Sequence, residues 1–475
     1  MRLEATCLTG AEVELIHQSS LKILAKTGVG ITLPEALDIL DGAGARVDRK
    51  TSRVRIDGDL VGKCLSRLPG RLELYGRGER PVMRVPDEGP YFGTWHNAVC
   101  VLDLDTGERR SATSEDLGRF VRLVDGLENY AWTKTMLTPQ DVPKEMGYLH
   151  SWAITFQNTD KHIMGVGPGP KGVDILLEIG SVIAGSLEDL RKKPFLSFSI
   201  LTRPPLMWSD WALGALLRAA KNGIPVCLGA GPIAGATGPV TLAGTLTQAH
   251  AEILAGIVVA QLVNPGAPII YNSSCRVLDM ATGNVSMCSP EWFLFKVSLR
   301  QLARFLKIPI WTGGAITNAK IPDAQAGYEQ GISGLAGALG GDFVACGSLE
   351  TGEIMDMSDL VIGDEISSMV NRILRGFEIN PETLALDVID QVGPGGEYLG
   401  VKHTLKHFRN EIWRPVLSDR STWSSWVSGG RKDTWQRAKE RAKKILAEHE
   451  PHPLPRDQQK EIENILARAA FLKEV

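Results

Sequence analysis

The residues of this chain that could do chemistry gather at the ends of short apolar runs. Trp95, His96 and Asn97 close YFGTW (91–95), and Lys134 and Thr135 fall in WTKTML (132–137). Ser199 and Arg203 go with PFLSFSI (194–200), and Tyr271 and Asn272 with PIIYNSS (268–274). Trp311 and Thr312 go with PIWTGG (309–314), and Ser348 and Glu350 with FVACGS (343–348). The set is rich in aromatic rings and hydrogen-bonding groups, and it holds no nucleophile beside a base. No GxSxG, HExxH or phosphate-loop sequence occurs, so the familiar hydrolase and nucleotide chemistries lack their parts. His403 and His407 are four apart and share a helix face, but no third ligand accompanies them, and they read as structural rather than zinc-binding. Lys134, desolvated among apolar neighbours, could become a Schiff-base nucleophile, which would make the chain a lyase or aldolase.

Eight elements must position these groups. The runs above, with HIMGVG (162–167), PVCLGA (225–230) and the helix-like stretch after each, are eight strand–helix units. Alternation of this kind predicts a parallel sheet, and eight units close a (β/α)8 TIM barrel whose chemistry lies at the C-terminal strand ends. The barrel is expected over residues 89–378. Residues 1–88 read as an N-terminal α+β accessory region opened by a helix with a Thr9/Glu12 start signal. NAVCVLDLDTGERRSAT (97–113) reads as an inserted hairpin turning at DTG, and Ser114 as the cap of the next helix. Residues 379–475 read as a C-terminal helical extension containing Trp413, Trp423, Trp426 and Trp435 and a final charged helix with a solvated face.

With 475 residues, 43% hydrophobic and 23% charged, the chain has an ordinary globular composition. A net charge of −3 argues against nucleic acid or an acidic membrane as partner. No apolar stretch is read as reaching the roughly 20 residues that cross a bilayer, and the first residues lack a secretory core. Seven dispersed cysteines without a CxxC pair read as reduced thiols, so a cytoplasmic location is expected. The long apolar helix around 242–263 suggests a subunit contact and hence a homo-oligomer.

Longer stretches carry a resemblance. TGERRSAT, NTDKHI, AGATGPVTLAGTL, QLVNPGAPIIY, PDAQAGYE, LALDVIDQVGPGG and HTLKHFRNEIW make the chain similar to the trimethylamine/glycine betaine:corrinoid methyltransferase superfamily over about residues 9–415. No pyrrolysine occurs in the sequence, so the resemblance is to the non-pyrrolysine branch. It implies a barrel that takes a methyl group from a small quaternary amine, glycine betaine or a related betaine. The acceptor it implies is the Co(I) corrinoid of a separate small carrier protein, with no tightly bound cofactor and no metal. Tetrahydrofolate as acceptor is not distinguished by sequence. A non-catalytic protein that binds quaternary amines stays open beside this reading and the lyase.

Under the resemblance, a cation without hydrogen-bond donors suits aromatic faces, at roughly 0.5–2 kcal/mol per ring. Trp95, Tyr271 and Trp311 are then expected to form a cage, although each could instead be barrel packing. Arg203, Arg276, His96 and Asn272 are candidates for a betaine carboxylate. Asn97, Thr312 and Glu350 complete the expected substrate-binding set, and no catalytic side chain is assigned. The stretch DKHIMG (160–165) matches D-x-H-x-x-G of cobalamin-binding domains, but His162 begins a strand and the match reads as coincidence. One departure from the family is Asn318 in Thr317-Asn318-Ala319-Lys320, where a carboxylate is usual.

Overall fold

The computed structural model describes residues 3–86 and 88–471. All eight expected runs contribute parallel strands to one closed barrel: β1 Tyr91–Thr94, β2 Tyr130–Thr133, β3 His162–Val166, β4 Leu196–Leu201, β5 Val226–Ala230, β6 Ile269–Ser273, β7 Ile310–Gly313 and β8 Phe343–Cys346. They pair in chain order, and β8 returns to β1 from Phe343↔Tyr91 to Cys346↔Thr94. The fold is a (β/α)8 TIM barrel. Its strands are covered on both faces, which is why they read as nearly continuous apolar runs. β2 ends at Thr133, so Lys134 and Thr135 lie just past the strand rather than on it.

Eight helices return the chain: Ser114–Asp125, Gly147–Gln157, Gly169–Ala184, Asp210–Lys221, Leu242–Val263, Pro290–Phe305, Ala324–Gly340 and Met357–Arg375. The first is capped by Thr113, not by Ser114. Thr113 accepts from the Asp116 N–H, and the Asp116 carboxylate accepts in return from the Thr113 N–H. Ser114 instead bonds Asp141 through its N–H and hydroxyl.

Leu242–Val263 overturns one expectation and takes the ground from another. Its 22 residues are long and apolar enough to span a bilayer, yet 83% of its most apolar window is buried inside the molecule. Helices Gly10–Lys26 and Gly58–Leu65 pack over it, and it carries buried His250, Glu252 and Gln261, each hydrogen-bonded within the chain. A helix so largely enclosed gives no reason of its own to expect a homo-oligomer.

The N-terminal helix Gly10–Lys26 begins with the Thr9/Glu12 capping box. Behind it, Val29–Ile31, Arg53–Arg55 and Arg46–Asp48 form a small sheet, completed by Met207–Trp208 from the loop after β4. Hairpin Leu72–Tyr75/Pro81–Val85 sits at the N-terminal end of the barrel, where the Tyr75 N–H donates to the Pro194 carbonyl. The inserted hairpin forms from Cys100–Leu102 and Arg109–Ser111, and Ile354–Met355 adds a third strand beside it.

In the extension, the buried Glu365 carboxylate accepts from the backbone N–H groups of Val416, Leu417 and Ser418. Trp413 and Trp435 donate to Ser368 and Ser358 of the last barrel helix. The charged helix Thr434–Glu448 buries only Ala438 and Ala442, leaving its charges in solvent as expected. Helices Pro381–Leu384, Leu386–Val392 and Lys402–Glu411 bury no residue. All seven cysteines are free.

Candidate functional site

Alternation along the strands decides which side chains reach the barrel axis. Met164, Cys227, Ile270 and Trp311, from four different strands, meet in one interior cluster. Asn272 follows Ile270 by two and also points inward, its amide 3.5 Å from the Cys227 sulfur and its carbonyl accepting from Ser274 at 2.5 Å. At the C-terminal mouth, Trp95 and Trp311 bring their ring centroids to 5.8 Å with planes tilted by 36°. Trp95 also stacks on His96 at 5.3 Å. Lys134 Nζ lies 4.2 Å from the Trp311 ring centroid. The two indoles are 7% and 2% exposed and Lys134 is fully buried.

Local backbone explains the placement. The Trp95 N–H donates to the Cys346 carbonyl at 2.8 Å, extending the β1–β8 pairing by one residue and setting the ring over the mouth. Two glycines leave room for it. A Cβ at Gly313 would stand 3.0 Å from Trp95, and one at Gly352 only 2.4 Å from the indole nitrogen. Thr94 accepts the Lys134 N–H at 2.8 Å, which directs the lysine from the end of β2 toward the axis. Asn97 turns the chain at φ 60° and is tied to Thr135 by backbone and side chain.

The electrostatics of the mouth are one-sided. Lys134 Nζ, His96 Nδ1 and Arg276 Nε are buried atoms without a hydrogen-bond partner. Burial pulls Lys134 down to about 8, opposed by the nearby Cys227 thiol, so the ammonium form still dominates at neutral pH. Burial, then Lys134 and Arg276, push His96 well below the ordinary histidine range and keep it neutral. Burial also lowers Arg276, with only the Cys275 thiol acting against it. No carboxylate of the described residues is among the charges acting on these three groups. The Cys227 thiol is raised by burial to about 11 and is no ready nucleophile.

Several expected residues lie elsewhere. Tyr271 faces outward into the helix layer, fully buried, with its hydroxyl 2.9 Å from His250 Nδ1, and His250 Nε2 is 2.9 Å from His17 Nδ1. It is therefore not part of an aromatic cage. Thr312, next to Trp311, also turns away from the axis and packs toward Gly341. Arg203 is exposed two residues past β4, in a turn closed by mutual backbone bonds with Met207. Glu350 stands on the rim with its carboxylate 3.9 Å from Arg109. Trp95, His96, Arg276, Trp311 and Asn272 are the expected residues that the fold brings to the mouth, with Asn97 bracing it.

Sequence reading singled out Lys134 for covalent chemistry and missed its seat on Trp311. It missed Gly352 entirely, whose only signal is a glycine shortly after the eighth strand. His162 is fully buried at the start of β3, bonded to the Tyr75 carbonyl and Ser197 hydroxyl at 2.9 Å each, in agreement with a coincidental motif. Asn318 accepts from the Met287 N–H and donates to the Val285 carbonyl, and a carboxylate could not make the second bond. His403 and His407 bring their ring centroids to 4.4 Å with planes tilted by 38°, and no group of three metal-ligating side chains occurs among the described residues.

Comparison with known proteins adds a family to this geometry. The family model for trimethylamine methyltransferase (MTTB) matches residues 3–470. A trimethylamine methyltransferase from Desulfitobacterium hafniense (strain DSM 10664 / DCB-2) is 33% identical over 459 residues, 96% of this chain and 92% of that one. A glycine betaine methyltransferase from Desulfitobacterium hafniense (strain Y51) is 35% identical over 451 residues, 94% and 93% of the two chains. Among solved structures, the hydroxylamine complex of MtmB matches 97% of this chain and 89% of that one with a TM-score of 0.50 at 12% identity, a likeness of fold alone.

Proposed function

The chain belongs to the trimethylamine methyltransferase family, and from that premise we propose that it moves a methyl group from a small quaternary amine to the Co(I) corrinoid of a separate small carrier protein. The observation that carries the reading is the pair of indoles, Trp95 and Trp311, closed over the C-terminal mouth of the barrel. A quaternary ammonium already bears its charge, so its methyl can leave with a neutral amine and no proton need be supplied. Co(I) is a strong nucleophile and enters the reaction as the second substrate, so the protein has no need of one. The absence of a nucleophile–base pair at the mouth, among the described residues, fits that division of labour.

What remains for this chain is binding and orientation. Ring faces attract the cation, at about 0.5–2 kcal/mol each. Burial of the mouth keeps water from the reacting carbon, and alignment of two reactants is worth up to roughly 7–11 kcal/mol. Membership of a methyltransferase family displaces the lyase and non-catalytic readings. Lys134 does not favour the lyase, since its ammonium is seated 4.2 Å from the Trp311 ring centroid.

The test is spectral. Purified protein is mixed with Co(I) cobalamin or a reduced corrinoid carrier and a panel of betaines, carnitines, cholines and trimethylamine. Methylcobalamin should form with at least one quaternary amine and only when reduced corrinoid is present. Failure with the whole panel would sink the reading.

A further inference from the structure

The Trp311 face that should receive a substrate cation is already taken by a cation of the protein itself. Lys134 Nζ lies 4.2 Å from the ring centroid, fully buried and without a hydrogen-bond partner. Trp95 also crowds this ring, with its centroid 5.8 Å from that of Trp311. A cation is attracted within about 6 Å of a ring centroid, so a second one cannot share this space with the ammonium. Beside Lys134 stand His96 and Arg276, each with a buried nitrogen lacking a partner, and no carboxylate of the described residues offsets them. A plain cation entering here would meet repulsion and nothing to balance it.

We propose that Lys134 is a resident placeholder on Trp311, displaced by a substrate that carries both a quaternary ammonium and a carboxylate. The carboxylate is received by Lys134, with His96 and Arg276, and the ammonium takes the ring face that Lys134 leaves. The exchange keeps one cation on the ring throughout and gives the unpartnered nitrogens their acceptor. It makes the site selective for ammonio-carboxylates over simple cations of similar size. The inference rests on the methyl-transfer reading for the purpose of the site, but it is tested by binding alone.

Calorimetry without corrinoid, using glycine betaine, choline and tetramethylammonium, separates the possibilities. The wild-type protein should bind glycine betaine at least tenfold more tightly than the other two. Lys134→Met should weaken glycine betaine at least tenfold while tightening tetramethylammonium, because it removes the carboxylate's partner and vacates the ring together. Arg276→Gln, which leaves Lys134 on the ring, should weaken glycine betaine without weakening tetramethylammonium, and it serves should Lys134→Met fail to fold. Equal wild-type binding of all three ligands, or parallel losses for both ligands in Lys134→Met, would overturn the proposal. Inverted selectivity without methylation of cobalamin would leave the subsite standing and remove the methyl-transfer reading. Methylation with unaltered selectivity would do the reverse.

Discussion

Tyr271 and Trp311 are both large, both buried and both on barrel strands, but opposite parity gives them different work. Tyr271→Leu removes the hydroxyl that pairs with His250, leaving a buried imidazole nitrogen without its partner. A loss of about 1–3 kcal/mol is expected from that alone, with substrate affinity unchanged in the folded protein. Trp311→Leu should lower affinity by up to about tenfold. It should also lower stability, because a residue only 2% exposed leaves a cavity when shortened. Calorimetric titration beside urea unfolding of both variants checks the pair, and an affinity loss in Tyr271→Leu would contradict the placement. The sequence could not choose between these residues for a physical reason. In PIIYNSS and PIWTGG both strand faces are buried, so the polar/apolar alternation that reveals parity in a half-exposed strand is missing. The seat of Lys134 is hidden for a related reason, since only the fold shows that a ring lies beneath its ammonium.

The strands were legible because apolar runs of five to seven residues, each bounded by glycine, proline or polar residues, recur with helical stretches between them. The inserted hairpin was legible from DTG, where Asp103 accepts from the N–H groups of Asp105 and Thr106 and Gly107 adopts φ 77°. The helix cap was displaced by one residue because Thr113 and Ser114 are both able caps, and Asp116 lies three residues past Thr113. Loops after strands were the illegible elements, and one of them holds Trp95 in place. The turn after β8 passes Gly352 at φ 106°, a backbone conformation that favours glycine, against the indole edge. Gly352→Ala should therefore displace Trp95 or the turn itself, and cut affinity for a quaternary amine by several-fold or more. Near-ultraviolet circular dichroism, which senses the packed indoles, should change while the far-ultraviolet spectrum does not. An unaltered near-ultraviolet spectrum with full affinity would show that the turn yields freely and does not brace the ring.

The outermost layers belong to the same core as the barrel. Val13, Leu24 and Val54 of the N-terminal region share one buried cluster with Ile179 and Leu216 of the barrel helices and with Leu454, Ile462, Ile465 and Ala469 near the C-terminus. The last segment is fastened along its length. His449 pairs with Asp125 at 2.8 Å, the His452 carbonyl accepts from Arg77 at 2.6 Å, and Arg468 reaches Glu178 at 2.7 Å. Helix Arg456–Ala469 lies on Gly169–Ala184, the helix that follows β3. Removing residues 450–475 would uncover that face and delete the four buried side chains, of which the larger ones contribute about 1.5–3 kcal/mol each when fully buried. The surface contacts add little, since exposed ion pairs are worth about 0–1 kcal/mol. The expected outcome is a loss of several kcal/mol in urea unfolding, a large share of the 5–15 kcal/mol typical of a folded domain, still as one cooperative transition. The mouth lies at the opposite end of the strands from the Arg77–His452 contact, so ligand affinity of the surviving folded fraction should not change. A truncated chain with an unchanged midpoint would mean that the C-terminal helices form a separate unit, and the contiguous core would then be packing without cooperation.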